Sequence, residues 1–193
     1  ERQRSLLATI EWSFNLLSEA EQKAFCLLGV FRGGWFLDAA EKVLSPGLPR
    51  GFAVLDIIQS LRDKSLIRSW DTTTETRFGM YDAIADFARN KLLEALSLEE
   101  RQALMRRHAE HYVRYAEHWD KEIFSGRELE ACDRLELELE NLFEAQQWLG
   151  NRLKGIGDAP HDPEHAALHE WLARAVFSTV HIMRVRGPLQ ERV

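Results

Sequence analysis

His161, His165 and His169 recur at four-residue spacing, which in a helix sets the latter two on one face beside Asp162 and Glu164. Imidazole and carboxylate are the donor types of a zinc site. Asp162-Pro163 has a plainer reading, because an acceptor at the cap followed by proline at the first helical position starts a helix. No cysteine or further ligand is tied to the cluster, so no metal is expected, and these three histidines stand as the metal candidate. His108, His111 and His118 surround Glu110 and Glu117 without the HExxH arrangement of a zinc hydrolase. Nucleophile chemistry lacks a signature: no G-x-S-x-G is present, and Cys26 and Cys132 fall inside apolar helical patterns. Gly33-Gly34 is preceded by a helix and followed by Trp35-Phe-Leu37, whereas a phosphate-binding loop needs GxxxxGK[ST] between strand and helix. The chain is therefore read as non-catalytic, with no cofactor of its own.

The elements around these residues follow from periodicity. Phe52 to Leu61 carries Leu55, Ile58 and Leu61 at helical spacing, and the period then shortens through Leu66–Trp70 and Thr76–Met80, which flank the polar run Asp71–Glu75. Helical spacing returns after Tyr81 through Ile84, Ala85, Ala88 and Leu92. Upstream, a helix from about Ser5 presents Leu6, Ile10, Phe14 and Leu17. Ser18-Glu-Ala-Glu21 forms a capping box for a second helix that runs to Arg32-Gly-Gly34, and Leu37–Leu44 is a short third helix closed by Ser45-Pro. The order helix, hairpin, helix with further helices upstream describes a winged helix, assigned to residues 1–96.

Residues 97–193 are read as helical. Ser97-Leu-Glu-Glu100 and Ser125-Gly-Arg-Glu128 repeat the capping-box spacing. Behind the second lies a regular stripe of Leu129, Cys132, Leu135, Leu139, Leu142, Gln146 and Leu149, expected as one helix with an acidic, solvated outer face that includes Glu136 and Glu138. A loop is expected from Gly150 to Pro163, then a last helix bearing Leu168, Leu172, Ala175 and Val176. Trp12, Trp35, Trp148 and Trp171 sit beside stripe residues and are expected to be buried. The fold class is mainly α: a winged-helix domain with a small β-hairpin wing, followed by α-helical hairpins.

The apolar content of 45% suits packed cores, and the net charge of −6 argues against general affinity for nucleic acid or anionic membrane. Two cysteines suit reduced thiols in a cytoplasmic protein, and no apolar run reaches a membrane span. The start without methionine suggests a fragment of a longer protein. For DNA, the candidate contacts are Gln59, Arg62 and Lys64 near the end of the central helix and Arg68 and Arg77 on the wing. Asp56, Asp63, Asp71 and Glu75 offset them, so DNA binding is not expected, since a DNA reader needs a basic footprint. A winged-helix DNA-binding transcriptional regulator with a helical dimerisation or sensing domain is the alternative reading.

Several segments together resemble a family: Arg2-Gln-Arg-Ser-Leu6, Ile10-Glu-Trp-Ser-Phe14, Leu16-Leu-Ser-Glu19, Phe31-Arg-Gly-Gly34 with Leu37-Asp-Ala-Ala40, Leu61-Arg-Asp-Lys-Ser-Leu66, Arg106-Arg-His-Ala109, Glu140-Asn-Leu142 and Arg184-Val-Arg-Gly187. The chain is similar to the region that follows the nucleotide-binding domain in bacterial signal-transduction ATPases with numerous domains. The resemblance implies a winged helix that packs on the nucleotide-binding domain of the same chain, ATP or ADP bound in the parent protein, and a helical region that leads into tetratricopeptide-like repeats and meets protein partners. Related switches carry a Met-His-Asp motif whose histidine reads the β-phosphate of ADP. Here Met80-Tyr81-Asp82 matches at the first and third positions, which makes these residues the nucleotide-sensing candidates by resemblance. Tyrosine can donate a hydrogen bond there but cannot become a cation.

Overall fold

The computed structural model describes residues 2–157 and 162–186. The chain divides into two compact units, Glu1–Arg107 and His108–Val193. The fold class is as expected, mainly helical with a small antiparallel sheet, a winged helix followed by helical hairpins.

In the first unit α1 (Arg2–Asn15) precedes α2 (Glu19–Leu28), which begins at the anticipated capping box: Ser18 Oγ accepts from the Glu21 amide, and the Glu21 carboxylate accepts from the Ser18 amide at 2.7 Å. Phe14, Phe25 and Phe87 form a triangle of rings with centroids 5.4–6.1 Å apart, which joins α1, α2 and α5 (Asp82–Ala95). Trp12, expected inside, is 65% exposed because α1 turns Ile10 and Phe14 toward the core and leaves its other face wet. Trp35 is buried, and Trp148 and Trp171 are half-buried.

α3 (Leu37–Leu44) is followed by a single tight turn at Ser45–Gly47. α4 (Val54–Asp63) buries Val54, Ile57, Ile58 and Leu61, so Leu55 lies outside the stripe assigned to it. Its end is a Schellman turn: the Leu66 amide donates to Leu61 O and the Ser65 amide to Arg62 O, with Ser65 at φ 60°. The turn delivers buried Leu66 and Ile67 to the start of the wing.

The wing is a three-stranded antiparallel sheet in the order β1 (Trp35–Phe36), β3 (Thr76–Gly79), β2 (Arg68–Asp71). The hairpin was legible; β1 was not, since two residues carry no alternation. Phe36, Arg77 and Trp70 stand opposite one another across the strands, as do Trp35, Phe78 and Ser69. The Trp70 ring lies across two glycines. A Cβ on Gly79 would come within 3.0 Å of it, and one on Gly34, where φ is +120°, within 3.1 Å.

α6 (Leu98–Glu122) opens with the second capping box: Glu100 takes the Ser97 amide at 2.8 Å and donates its own amide to Ser97 Oγ at 3.2 Å. The expected domain border at Ser97 is the start of this helix, and the division between the compact units falls within it.

In the second unit the predicted long helix is two, α7 (Glu128–Leu137) and α8 (Leu139–Ile156). Glu138 separates them at φ −105° and ψ 7°, with its amide turned back to Leu135 and Glu136. Its side chain is 1% exposed, against the solvated position assigned to it, and accepts from Asn141 Nδ2 at 2.7 Å. That buried bond holds the break. Ser125 does not cap α7: its hydroxyl donates back to Glu122, and Leu129, at the head of the stripe, is 76% exposed. α8 runs on through Gly150 and Gly155, where a loop was expected. α9 (Pro163–Arg186) starts as the Asp-Pro pair implied, with Asp162 Oδ1 accepting from the Glu164 amide at 2.8 Å. It packs on α7 and α8, and Gln146 donates to Ala175 O and Thr179 Oγ1. No helix among the described residues is long and apolar enough to cross a membrane.

Candidate functional site

A winged helix offers two surfaces to a partner, the exposed face of α4 and the wing. On α4 the outward residues are Leu55, Asp56, Gln59, Arg62 and Asp63, preceded by Phe52, which is 54% exposed. Two carboxylates meet one guanidinium, and Arg62 lies 3.9 Å from Asp63. This face is mixed apolar and acidic.

Lys64 is turned toward α2. Its ammonium donates to Glu21 Oε1 at 2.6 Å, and Ser60 Oγ donates to the same oxygen. Burial raises the Glu21 carboxyl, but donors from Lys64, Ser60 and both the amide and hydroxyl of Ser18 together bring it down to about 2. The capping glutamate of one helix thus clamps the end of another, a role that the spacing Ser18-x-x-Glu21 alone did not reveal.

The two wing arginines have opposite fates. Arg77 is 1% exposed with its guanidinium 4.9 Å from the Phe36 ring, so it cannot serve as the surface contact proposed for it. Arg68 is exposed and lies over two rings, 4.8 Å from Trp70 and 5.0 Å from Tyr81. Strand alternation does not separate them, because the register places both on the face that carries Trp70.

Met80 is half-buried, while Tyr81 is 62% exposed and Asp82 is exposed. Tyr81 occupies the N-cap position of α5 without a side-chain cap bond, and Asp82 is the acidic residue of the first turn. A carboxylate there complements the helix dipole. The three residues form an accessible corner between β3 and α5.

His161 lies outside the described residues. His165 is buried and His169 exposed, with their rings edge to face at 4.5 Å. Among the described residues no group of three metal-ligating side chains converges. The second unit instead buries a polar chain that the sequence reading missed: His108 Nε2 donates to Asn141 Oδ1 at 3.3 Å, and Asn141 donates to Glu138. Glu138 and Asn141 are only three residues apart, and the contact between helices brings His108 of α6 to them.

No family profile matches the chain, and no solved structure matches it. It is 31% identical over 148 residues to proteins of Mycobacterium bovis and of two strains of Mycobacterium tuberculosis whose names propose an HTH-type transcriptional regulator. The alignment covers 77% of this chain and 16% of each relative, so the chain corresponds to a small part of their length. Those names describe regulators, not enzymes.

Proposed function

We propose that the chain is a non-catalytic, protein-contacting segment of a multidomain transcriptional regulator, with residues 1–96 as a docking winged helix and 97–193 as a helical linker. The observation that carries this is the outward face of α4, where Phe52 and Leu55 stand among Asp56, Asp63 and a single arginine already beside a carboxylate. Phosphate backbones select basic faces; a protein surface accepts this mixture. In this reading the winged helix packs on a nucleotide-binding domain of the same parent protein, which holds ATP or ADP, and the Met80-Tyr81-Asp82 corner faces that domain. Exposure of the Tyr81 ring and the absence of a side-chain cap at the start of α5 support that placement. The helical segment offers its surface to other proteins, in the manner of a repeat array.

A second reading, that the winged helix itself binds DNA, is favoured by the names of the relatives and by the exposure of Gln59 and Arg62. Fluorescence anisotropy on random duplexes separates the two. The first reading expects dissociation constants above about 1 µM at physiological salt, with no consensus sequence retained on selection. A retained consensus overturns it in favour of the second.

A further inference from the structure

Arg68 is positioned by an unusual support. Gly79 opposite it and Gly34 beyond leave room for the Trp70 ring against the sheet, and the Arg68 guanidinium lies over that ring and over Tyr81. Stacking fixes a guanidinium through its faces and leaves its N–H edge for a ligand. The residue is exposed and has no ion pair or side-chain hydrogen bond among the described residues. A cation that is ordered before binding, flanked by exposed aromatic surface, has the composition of an interface hot spot.

We infer that Arg68, on its Trp70 and Tyr81 platform, is a recognition arginine that takes an aspartate or glutamate side chain of the protein surface on which this corner docks. Carboxylate and phosphate both suit a guanidinium fork, but the surroundings favour an isolated carboxylate. The wing ends in Asp71 and Glu75, and the outward face of α4 adds Asp56 and Asp63. A duplex would bring a continuous row of phosphates against these acids, whereas one carboxylate on an otherwise neutral or apolar protein surface meets only the stacked arginine and the exposed Tyr81 ring. The inference rests on the protein-contact reading given above.

The test is selection of a displayed library of random peptides on the whole chain, followed by titration calorimetry with the selected peptides. The expected peptides carry an Asp or Glu at a fixed position beside an aromatic or branched residue. Arg68→Ala and Arg68→Lys should each weaken them by about tenfold or more, while both variants keep the wild-type circular dichroism spectrum, and Arg114→Ala on the other compact unit should change nothing. Loss on Arg68→Lys is the sharper result, because lysine keeps the charge and loses the planar fork. Peptides without an acidic position, acidic peptides indifferent to Arg68, or no selected peptide at all would overturn the inference while leaving the anisotropy result standing. Preference for a random duplex over every peptide, lost in Arg68→Ala, would overturn it by putting phosphate where the carboxylate is proposed.

Discussion

Among the described residues, Arg77 is the one polar or charged side chain buried in the first unit, where it lies over the Phe36 ring while Phe25, Leu44, Ile58 and Leu61 are buried in the same unit. The second unit buries His108, His111, Glu138, Asn141, His165, Ser178 and Thr179 as well as Leu135, Leu142 and Leu149. The first interior is held by apolar area and ring packing, and its polar chemistry sits at helix ends, at Ser18, Glu21 and Ser97. Such an interior tolerates exchange of one apolar shape for another. The second depends on hydrogen bonds between particular atoms, and a buried polar group that loses its partner keeps its desolvation penalty.

The largest expected effect comes from two near-isosteric substitutions. Asn141→Leu removes the buried side-chain hydrogen bonds to both Glu138 and His108 and should cost about 3–5 kcal/mol, whereas Leu61→Met in the first unit should cost less than about 1.5 kcal/mol. Urea unfolding combined with hydrogen exchange resolved by element distinguishes the units. Equal losses would mean that the contrast between the interiors is nominal.

Glu21 comes next. Its folded carboxyl is lowered from 4.5 to about 2, so its contribution is fully present above pH 4.5 and is lost as the pH falls through about 2. Glu21→Gln should cost on the order of 2–3 kcal/mol at neutral pH and progressively less in acid. Loss of that difference between wild type and variant below pH 4.5, followed through amides of α2 and α4, checks the assignment. A pH-independent cost would point to shape instead of charge.

The smallest expected effect is a gain. Ser65 holds a left-handed conformation at φ 60°, and Ser65→Gly should stabilise the first unit by about 0.5–1 kcal/mol by relieving it. The rise should show in the exchange protection of α4 and leave α8 unchanged.

The same contrast explains what was readable from the chain. Helix starts at Ser18, Ser97 and Asp162 announce themselves through local spacing, and the change of period around Asp71–Glu75 marks the hairpin, because each signal is contained within a few residues. The break at Glu138 was hidden because the apolar spacing of Leu135, Leu139 and Leu142 passes through it unaltered, and the burial of the Glu138–Asn141 pair against His108 of α6 is a tertiary matter. Ser125-x-x-Glu128 had the capping spacing but not the outcome, since Glu122 offers the Ser125 hydroxyl nearer acceptors. At the candidate site, the exposure of Tyr81 and the stacking of Arg68 depend on where Trp70 comes to rest. Arg77 was misplaced for the same reason: a cation next to a strand end reads as surface until Phe36 from β1 is laid beside it.

The resting place of Trp70 also imposes an order on change in this part of the protein. With the indole in place, alanine at Gly79 brings its methyl carbon within 3.0 Å of the ring, so that exchange is disfavoured as a first step. Once Trp70 has been replaced by a smaller residue, the nearest remaining atom is the Gly34 Cα at 3.5 Å, an ordinary contact, and the same exchange becomes acceptable. The two positions are therefore epistatic with a preferred sequence of events, and a lineage that gives up Gly79 should be one that had already given up Trp70, and with it the platform beneath Arg68.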